Sequence, residues 1–177
     1  MSKAFTRESD DLPERPNTPR ASSLLPPGAK NYLTPEGAQR LGEELERLLQ
    51  AERPRVAALP EAGGARRQQL QALDQRILHL QESLQSAVIV PPPAPPWEQV
   101  RFGATVTVRE ESGAQTRYRI VGVDETDLDR DWVSWLSPIA KALLQTRLGQ
   151  RVRFRFPSGE AELEIAGIDY ETGSPGK

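Results

Sequence analysis

The chain contains no cysteine, and a single histidine and a single methionine stand among its 177 residues. Without thiols, disulfide scaffolds, cysteine nucleophiles and Cys-type zinc sites are excluded. Imidazole chemistry has one candidate, His79, which follows two apolar residues in a helical run and reads as a solvated or flanking helix position. No apolar run approaches the ~20 residues that a membrane span needs. The start, MSKAFTRESDD, brings early charge and no apolar h-region, so a cytoplasmic protein without a secretory signal is expected. Neither sign of charge dominates: Lys+Arg 23 against Asp+Glu 25 gives a formal net charge of -2. No global basic field therefore favours wrapping nucleic acid, and any such role must be local or indirect.

What is present divides the chain. Residues 1–30 are rich in proline, serine and charge, with Asp10, Asp11, Pro13, Pro16, Pro19, Pro26 and Pro27 breaking any periodic pattern. Too little apolar surface is available there to offset the entropy of ordering, and a disordered tail is expected. A second disordered end is expected at 172–177. The run Pro91-Pro92-Pro93-Ala94-Pro95-Pro96 reads as a stiff linker over 91–96 between a helical half, 31–90, and a strand-rich half, 97–171.

The helical half opens on LTPEG, where Thr34 suits an N-cap, Pro35 the first helical position and Glu36 the first turn. Leu41, Leu45 and Leu48 recur at helical spacing, and Leu49, Val56 and Leu59 continue the apolar side less regularly. Pro54 interrupts this arm and predicts a kink. After a turn at LPEAGGARRQQ, residues Leu70, Leu73, Ile77, Leu80 and Leu84 alternate spacings of three and four, the seam of a coiled coil. Each arm is about 24 residues, or roughly 36 Å at ~1.5 Å per residue. The pattern fits an antiparallel two-helix finger; two helices of a compact bundle are the alternative.

Beyond the linker the period becomes two. VRFGATVTVRE, TRYRIVGVDE, WVSWL, RVRFRF and AELEIAGIDYE read as five strands, with turns at Ser112-Gly113 and Pro157-Ser158-Gly159. Between the third and fourth, SPIAKALLQTRLG predicts a helix capped by Ser137, with Pro138 at N1, an apolar face of Ile139, Leu143, Leu144 and Leu148, and Gly149 at its end. The fold class is α+β: a coiled-coil hairpin followed by a small antiparallel sheet with one helix covering it.

These segments resemble a known family. YLTPEGAQRLGEELERLLQAERPRV is similar to the opening of the bacterial GreA/GreB transcript elongation factors, and RFGATVTV, RIVGVDE, SPIAKALLQTRLGQRV and PSGEAELEIAGIDY follow the order of their C-terminal domain. The resemblance spans about Asn31 to Glu171 and is nearer the GreB branch, including the triplet Glu52-Arg53-Pro54. It implies a head similar to FK506-binding proteins, docked at the rim of the secondary channel of the RNA polymerase core, with the finger inside the channel and in indirect contact with backtracked RNA. A monomer is expected, with no membrane partner and no cofactor of its own beyond the polymerase's magnesium.

In that family the finger tip carries a motif of the type Gly-Asp-x-x-Glu-Asn-Ala-Glu/Asp-Tyr. Its carboxylates help the polymerase hold a second Mg²⁺, which prefers hard oxygen ligands, and so activate water for RNA cleavage. Here about a dozen residues holding the whole motif are absent, shortening the reach by roughly 9 Å at ~1.5 Å per residue in each arm. Glu61 is the one carboxylate left in the turn; it is a weak ligand candidate or simply turn chemistry. Arg66 and Arg67 are either solvated charges or contacts to RNA and channel phosphates. Asp124, Asp127, Asp129 and Asp131 lack the Gly and closing Glu of a calcium loop and read as a solvated loop.

For the head, the resemblance implicates the positions of Leu136 and Pro138 in polymerase contact, and these two, with Trp135 adding apolar burial and Ser137 between them, are the expected polymerase-binding residues. Leu136 stands where GreB-like proteins commonly carry an Asp, and Pro138 serves helix capping, contact, or both. The expectation is a channel-binding elongation regulator, poor at stimulating cleavage and not itself an enzyme. An active cleavage factor with a rearranged tip, an FK506-binding-like prolyl isomerase and a generic coiled-coil interaction module are the alternatives.

Overall fold

The computed structural model describes residues 25–60 and 64–171. The tail expected at 1–30 lies outside it as far as residue 24, as does the end expected at 172–177. The last six residues of that tail, 25–30, are not featureless: they turn at Gly28, whose φ is +81°, and the Ala29 N–H donates to the Pro26 carbonyl at 3.0 Å.

The chain then enters β1 (Asn31–Leu33), and Thr34 caps α1 (Pro35–Arg47) by accepting the Gly37 N–H at 3.0 Å. The arm continues through a π-helical turn, Leu48–Glu52, into α2 (Arg53–Ala57). The expected disruption at Pro54 thus takes the form of a widened turn just before it. Leu41 and Leu48, seven apart, are both buried, and so is Val56, eight further on. The π turn absorbs the extra residue and keeps Val56 on the inner face.

Helix α3 (Ala65–Ser86) returns antiparallel to this arm. Asn31 reaches Ser83, Glu44 reaches Arg76 and Arg53 reaches Asp74, the partner number falling as the first rises. Leu33, Leu41, Leu48, Ile77 and Leu80 form the buried seam, flanked by Ala38, Leu45, Leu73 and Leu84. Leu49 and Leu59 do not join it; both are exposed, because the seam follows the register set by Leu41 and Leu48. β2 (Ala87–Ile89) leaves α3 and pairs in parallel with β1, closing the base of the helix pair. Neither strand was legible in sequence, because each abuts a helix and their pairing joins Asn31 to Ala87 across the whole hairpin.

The strand-rich half is one five-stranded sheet in the order β5-β4-β3-β7-β6. Its strands are β3 (Ala104–Glu110), β4 (Gln115–Val121), β5 (Trp132–Ser134), β6 (Arg151–Phe156) and β7 (Gly159–Tyr170). The expected purely antiparallel sheet needs one correction: β5 runs parallel to β4. Two 3-10 turns, Val123–Glu125 and Leu128–Arg130, carry the chain back along the sheet before β5 begins, and a tight hairpin cannot do that.

Helix α4 (Pro138–Leu143) packs Ala140 and Leu143 into the sheet's core. It ends sooner than the sequence predicts. Gln145 adopts φ +67° and its N–H donates to Val100 O at 2.8 Å, the Val100 N–H donates to the Thr146 carbonyl at 2.8 Å, and the Thr146 hydroxyl donates to the Leu143 carbonyl at 2.6 Å. Backbone pairing captures the segment, and Leu148 becomes exposed instead of apolar lining.

Candidate functional site

The turn between the arms runs from residue 58 to 64, seven residues between α2 and α3. Glu61, and with it the ligand question, lies outside the described residues. Gly64 opens α3 with φ +81°, a left-handed conformation that explains a glycine there. Arg66 is engaged at the turn, donating from Nη1 to the Leu59 carbonyl at 3.0 Å. Arg67 is exposed and projects beside Leu70 and Asp74 along the outer side of α3.

On the sheet half, Ser137 caps α4 by accepting the Ala140 N–H at 3.3 Å and leaves Pro138 exposed at N1. Leu136 is half-buried, its N–H donating to Ser134 Oγ at 3.2 Å. Trp135 is also half-buried: its ring meets Tyr32 edge-on with centroids 5.1 Å apart, so it supports the junction with the helix pair. The four expected contact residues therefore divide. Pro138, with Ile139, opens onto an apolar groove of about 500 Å³ completed by Tyr118, Phe154, Arg155, Phe156 and Pro157.

Phe154 and Phe156 stack edge-to-face at 4.7 Å on one side of this groove. Burial pushes the Tyr118 phenol above its ordinary value, with the charges of Asp131 and Glu110 acting the same way. Sequence reading missed Tyr118, Phe154 and Phe156 as site residues. The signal was the alternation of RVRFRF, which places three arginines on one face and aromatic side chains on the other.

A third cluster lies at the base of the helix pair. His79 is not a solvated position: Nε2 lies 3.0 Å from Asp124 Oδ1, and the Ser83 hydroxyl donates to the other oxygen of the same carboxylate. Asp124 is nearly buried, which corrects its reading as part of a solvated loop. Asp127 caps the following turn by accepting the Asp129 N–H at 3.1 Å. Among the described residues no group of three or more His, Cys, Asp or Glu converges as metal ligands. Higher on the arms, Arg76 forks onto both oxygens of Glu44 at 2.8 Å, and this hydrogen bonding raises the guanidinium pKa further.

Trp132 joins the two halves as well. The guanidinium groups of Arg40, Arg119 and Arg130 stand 4.6, 4.7 and 5.3 Å from its ring centroid, within cation–π range. Buried Arg119 also pairs with Glu36 of α1 at 3.5 Å and with Glu171 at 2.8 Å. Among the described residues no helix is long and apolar enough to cross a membrane.

Comparison with known proteins adds an independent line. Residues 94–170 match the family described as transcription elongation factor, GreA/GreB, C-term. The chain is 36% identical to transcription elongation factor GreB of Neisseria meningitidis serogroup B over 154 residues, 80% of this chain and 94% of that protein. It is 40% identical to GreB of Pseudomonas aeruginosa over 151 residues, 78% of this chain and 89% of that one. A solved GreA/GreB factor from Nitrosomonas europaea is 26% identical, covering 80% of this chain and 100% of its own, with a TM-score of 0.41.

Proposed function

The chain belongs to the GreA/GreB family of transcription elongation factors, and from that premise we propose that it regulates elongation by binding the core of bacterial RNA polymerase. The sheet half, an FK506-binding-like head, docks on the polymerase; the helix pair is a coiled-coil finger placed in the secondary channel. The protein acts in the cytoplasm, as a monomer. The apolar groove between Pro138 and Phe156 supports the docking role, since it offers apolar, partly aromatic surface that a partner would desolvate where the family resemblance expects contact. Leu136 and Pro138 belong to that contact; Trp135 and Ser137 hold the segment in shape.

The short tip carries the second half of the reading. Seven residues link α2 to α3, and Glu61 is the one carboxylate in that turn. Two-metal cleavage needs hard oxygen ligands at the second ion, placed within about 1 Å. A lone carboxylate on a shortened finger meets neither requirement, so the protein occupies the channel without efficiently stimulating cleavage. The magnesium remains the polymerase's, and this chain supplies no enzyme of its own. Arg67 faces phosphate in the channel, while Arg66 closes the turn.

Transcript cleavage in backtracked complexes tests this. At saturation the protein leaves the RNA largely uncut and slows cleavage by an authentic Gre factor. Grafting a complete acidic tip with its flanking helical turns between Ala62 and Ala65 confers cleavage, whereas inserting only an Asp-x-x-Glu does not. Efficient cleavage by the unmodified protein, lost in Glu61→Ala, establishes the rearranged-tip alternative instead. An aromatic-lined groove is also what prolyl isomerisation, a function of another class, would need. A protease-coupled proline-peptide assay decides it, and no acceleration is expected.

A further inference from the structure

We propose that the adjacent carboxylates Asp124 and Glu125 form a clamp that fixes the heading of the finger on the head, each acid gripping one leg of the helix pair. Both sit on the 3-10 turn that follows β4. Glu125 holds the first leg. Its side chain is 1% exposed, and it accepts the Thr34 N–H at 2.9 Å, the Thr34 hydroxyl, and its own turn's Gly122 N–H at 3.0 Å. Arg40, one turn further along α1, stands 3.8 Å away. Asp124 holds the second leg through His79 and Ser83 of α3, and Ser83 is tied in turn to Asn31.

The Thr34 hydroxyl is the relay. It accepts from Gly37 at the start of α1 while donating to Glu125, so the cap of the finger's first helix is itself bonded to the head. Two glycines keep this approach open. A Cβ on Gly37 falls 1.8 Å from Glu125 Oε1, and one on Gly122 falls 2.2 Å from the Tyr32 carbonyl oxygen. Gripping a single leg leaves the finger free to rock about that point; gripping both removes the rocking.

The lever makes the angle consequential. From Thr34 to Ala57 the arm extends roughly 35 Å at ~1.5 Å per residue, so a tilt of ~10° at the base moves the tip by about 6 Å. Glu125 and Asp124 are therefore positioning residues. They act through the finger and touch neither RNA nor metal. Their effect on transcription rests on the channel-binding reading above; the clamp itself does not.

Electron-spin distance measurement on the full chain separates the two. The chain has no cysteine, so spin labels at Arg55→Cys on the finger and Gln115→Cys on the head report one distance. The parent background gives a single narrow distribution. Glu125→Gln removes the charge and, with its carbonyl kept on the Thr34 and Gly122 N–H groups, turns a donor amide onto the Thr34 hydroxyl that donates to the acid, and Asp124→Asn likewise sets an amide against the Ser83 hydroxyl or the His79 ring; each broadens and shifts the distribution. Gly37→Ala removes no charge and no hydrogen-bonding group and raises helix propensity, yet it displaces the Glu125 carboxylate and broadens the distribution too. This variant keeps the test decisive should Glu125→Gln fail to fold. Gly42→Ala, on the same helix with open space at its Cβ, stays narrow.

An unchanged narrow distribution in both Glu125→Gln and Gly37→Ala overturns the clamp. So does equal broadening in Gly42→Ala. In polymerase assays the broadened variants lose about tenfold in apparent affinity for core enzyme and, with it, in their potency at slowing an authentic Gre factor, because only the fraction of molecules with the finger correctly headed can seat in the channel. Broadening without that loss overturns the positioning role. If the parent protein fails to bind polymerase, the channel reading fails, while the distance measurement still decides the clamp.

Discussion

Tyr170 buries its ring against Trp97, with centroids 5.3 Å apart, while its hydroxyl accepts the Arg101 N–H at 3.0 Å and donates to the Gln99 carbonyl at 3.3 Å. Burial disfavours the phenolate and raises the pKa above its ordinary value, against a smaller opposing pull from the Arg101 N–H and charge. The folded state therefore holds this proton more tightly than the unfolded chain does. That contribution to stability is fully present below about pH 10, the ordinary phenol value, and is lost as pH rises through the raised folded value. Tyr118 adds to the same window with the same sign. Thermal melts taken across this alkaline range show a falling midpoint. Tyr170→Phe costs about 1–2 kcal/mol near neutrality through its two lost hydrogen bonds, but it flattens the alkaline fall. An alkaline slope identical to the parent's rules out the assignment to Tyr170.

The π turn at Leu48–Glu52 is an element whose cause can be tested by removing a residue. It exists because Val56 lies eight positions after Leu48 where Leu48 lies seven after Leu41. Deleting Ala51 together with Pro54→Ala restores a spacing of seven and permits an uninterrupted helix. This variant folds with Val56 still buried, gains helical circular dichroism and melts no lower than the parent. Deleting Gln75 from α3 instead rotates Leu73 away from Ile77 and Leu80 in the seam and costs at least about 2 kcal/mol. A collapse of the first variant, with the second tolerated, disproves the spacing argument. The arms were legible in sequence because Leu41, Leu48, Ile77 and Leu80 repeat locally, at distances a helix itself imposes. The early stop of α4 was not, because it depends on Gln145 and Thr146 pairing with Val100. The parallel direction of β5 was likewise hidden, since it follows from how two 3-10 turns carry the chain. Thr34 and Glu125 meet across 91 positions and His79 and Asp124 across 45, so no window of sequence could join them, and the aspartate loop read as solvent-facing.

At the scale of the whole molecule, the two hydrophobic clusters share no residue. One runs from Val100 to Tyr170 with Trp97 packed against it, while the other is confined to residues between Leu33 and Ala87. The halves meet instead through polar and aromatic contacts: Glu125 with Thr34, Asp124 with His79, Trp132 with Arg40 and Trp135 with Tyr32. Separate cores and a polar joint predict unequal independence. A fragment beginning at Trp97 keeps eleven buried core residues around five strands and folds cooperatively, at lower stability than the intact chain because Trp135 and the two carboxylates lose their cover. The helix pair, residues 31–90, keeps five. Below about 70–80 residues a single small core supplies little net stability, so this half melts broadly and without a sharp transition. Adding the two fragments together restores part of the lost stability, because the Thr34 cap and the His79 ring regain their carboxylate partners. Glu125→Gln in the head fragment abolishes that gain, and the fragment's own melt falls only by what the Gly122 N–H bond to that carboxylate contributes. If the head fragment fails to fold alone, or if the helix pair melts as sharply as the intact chain, the two halves are not coupled in the way the polar joint requires.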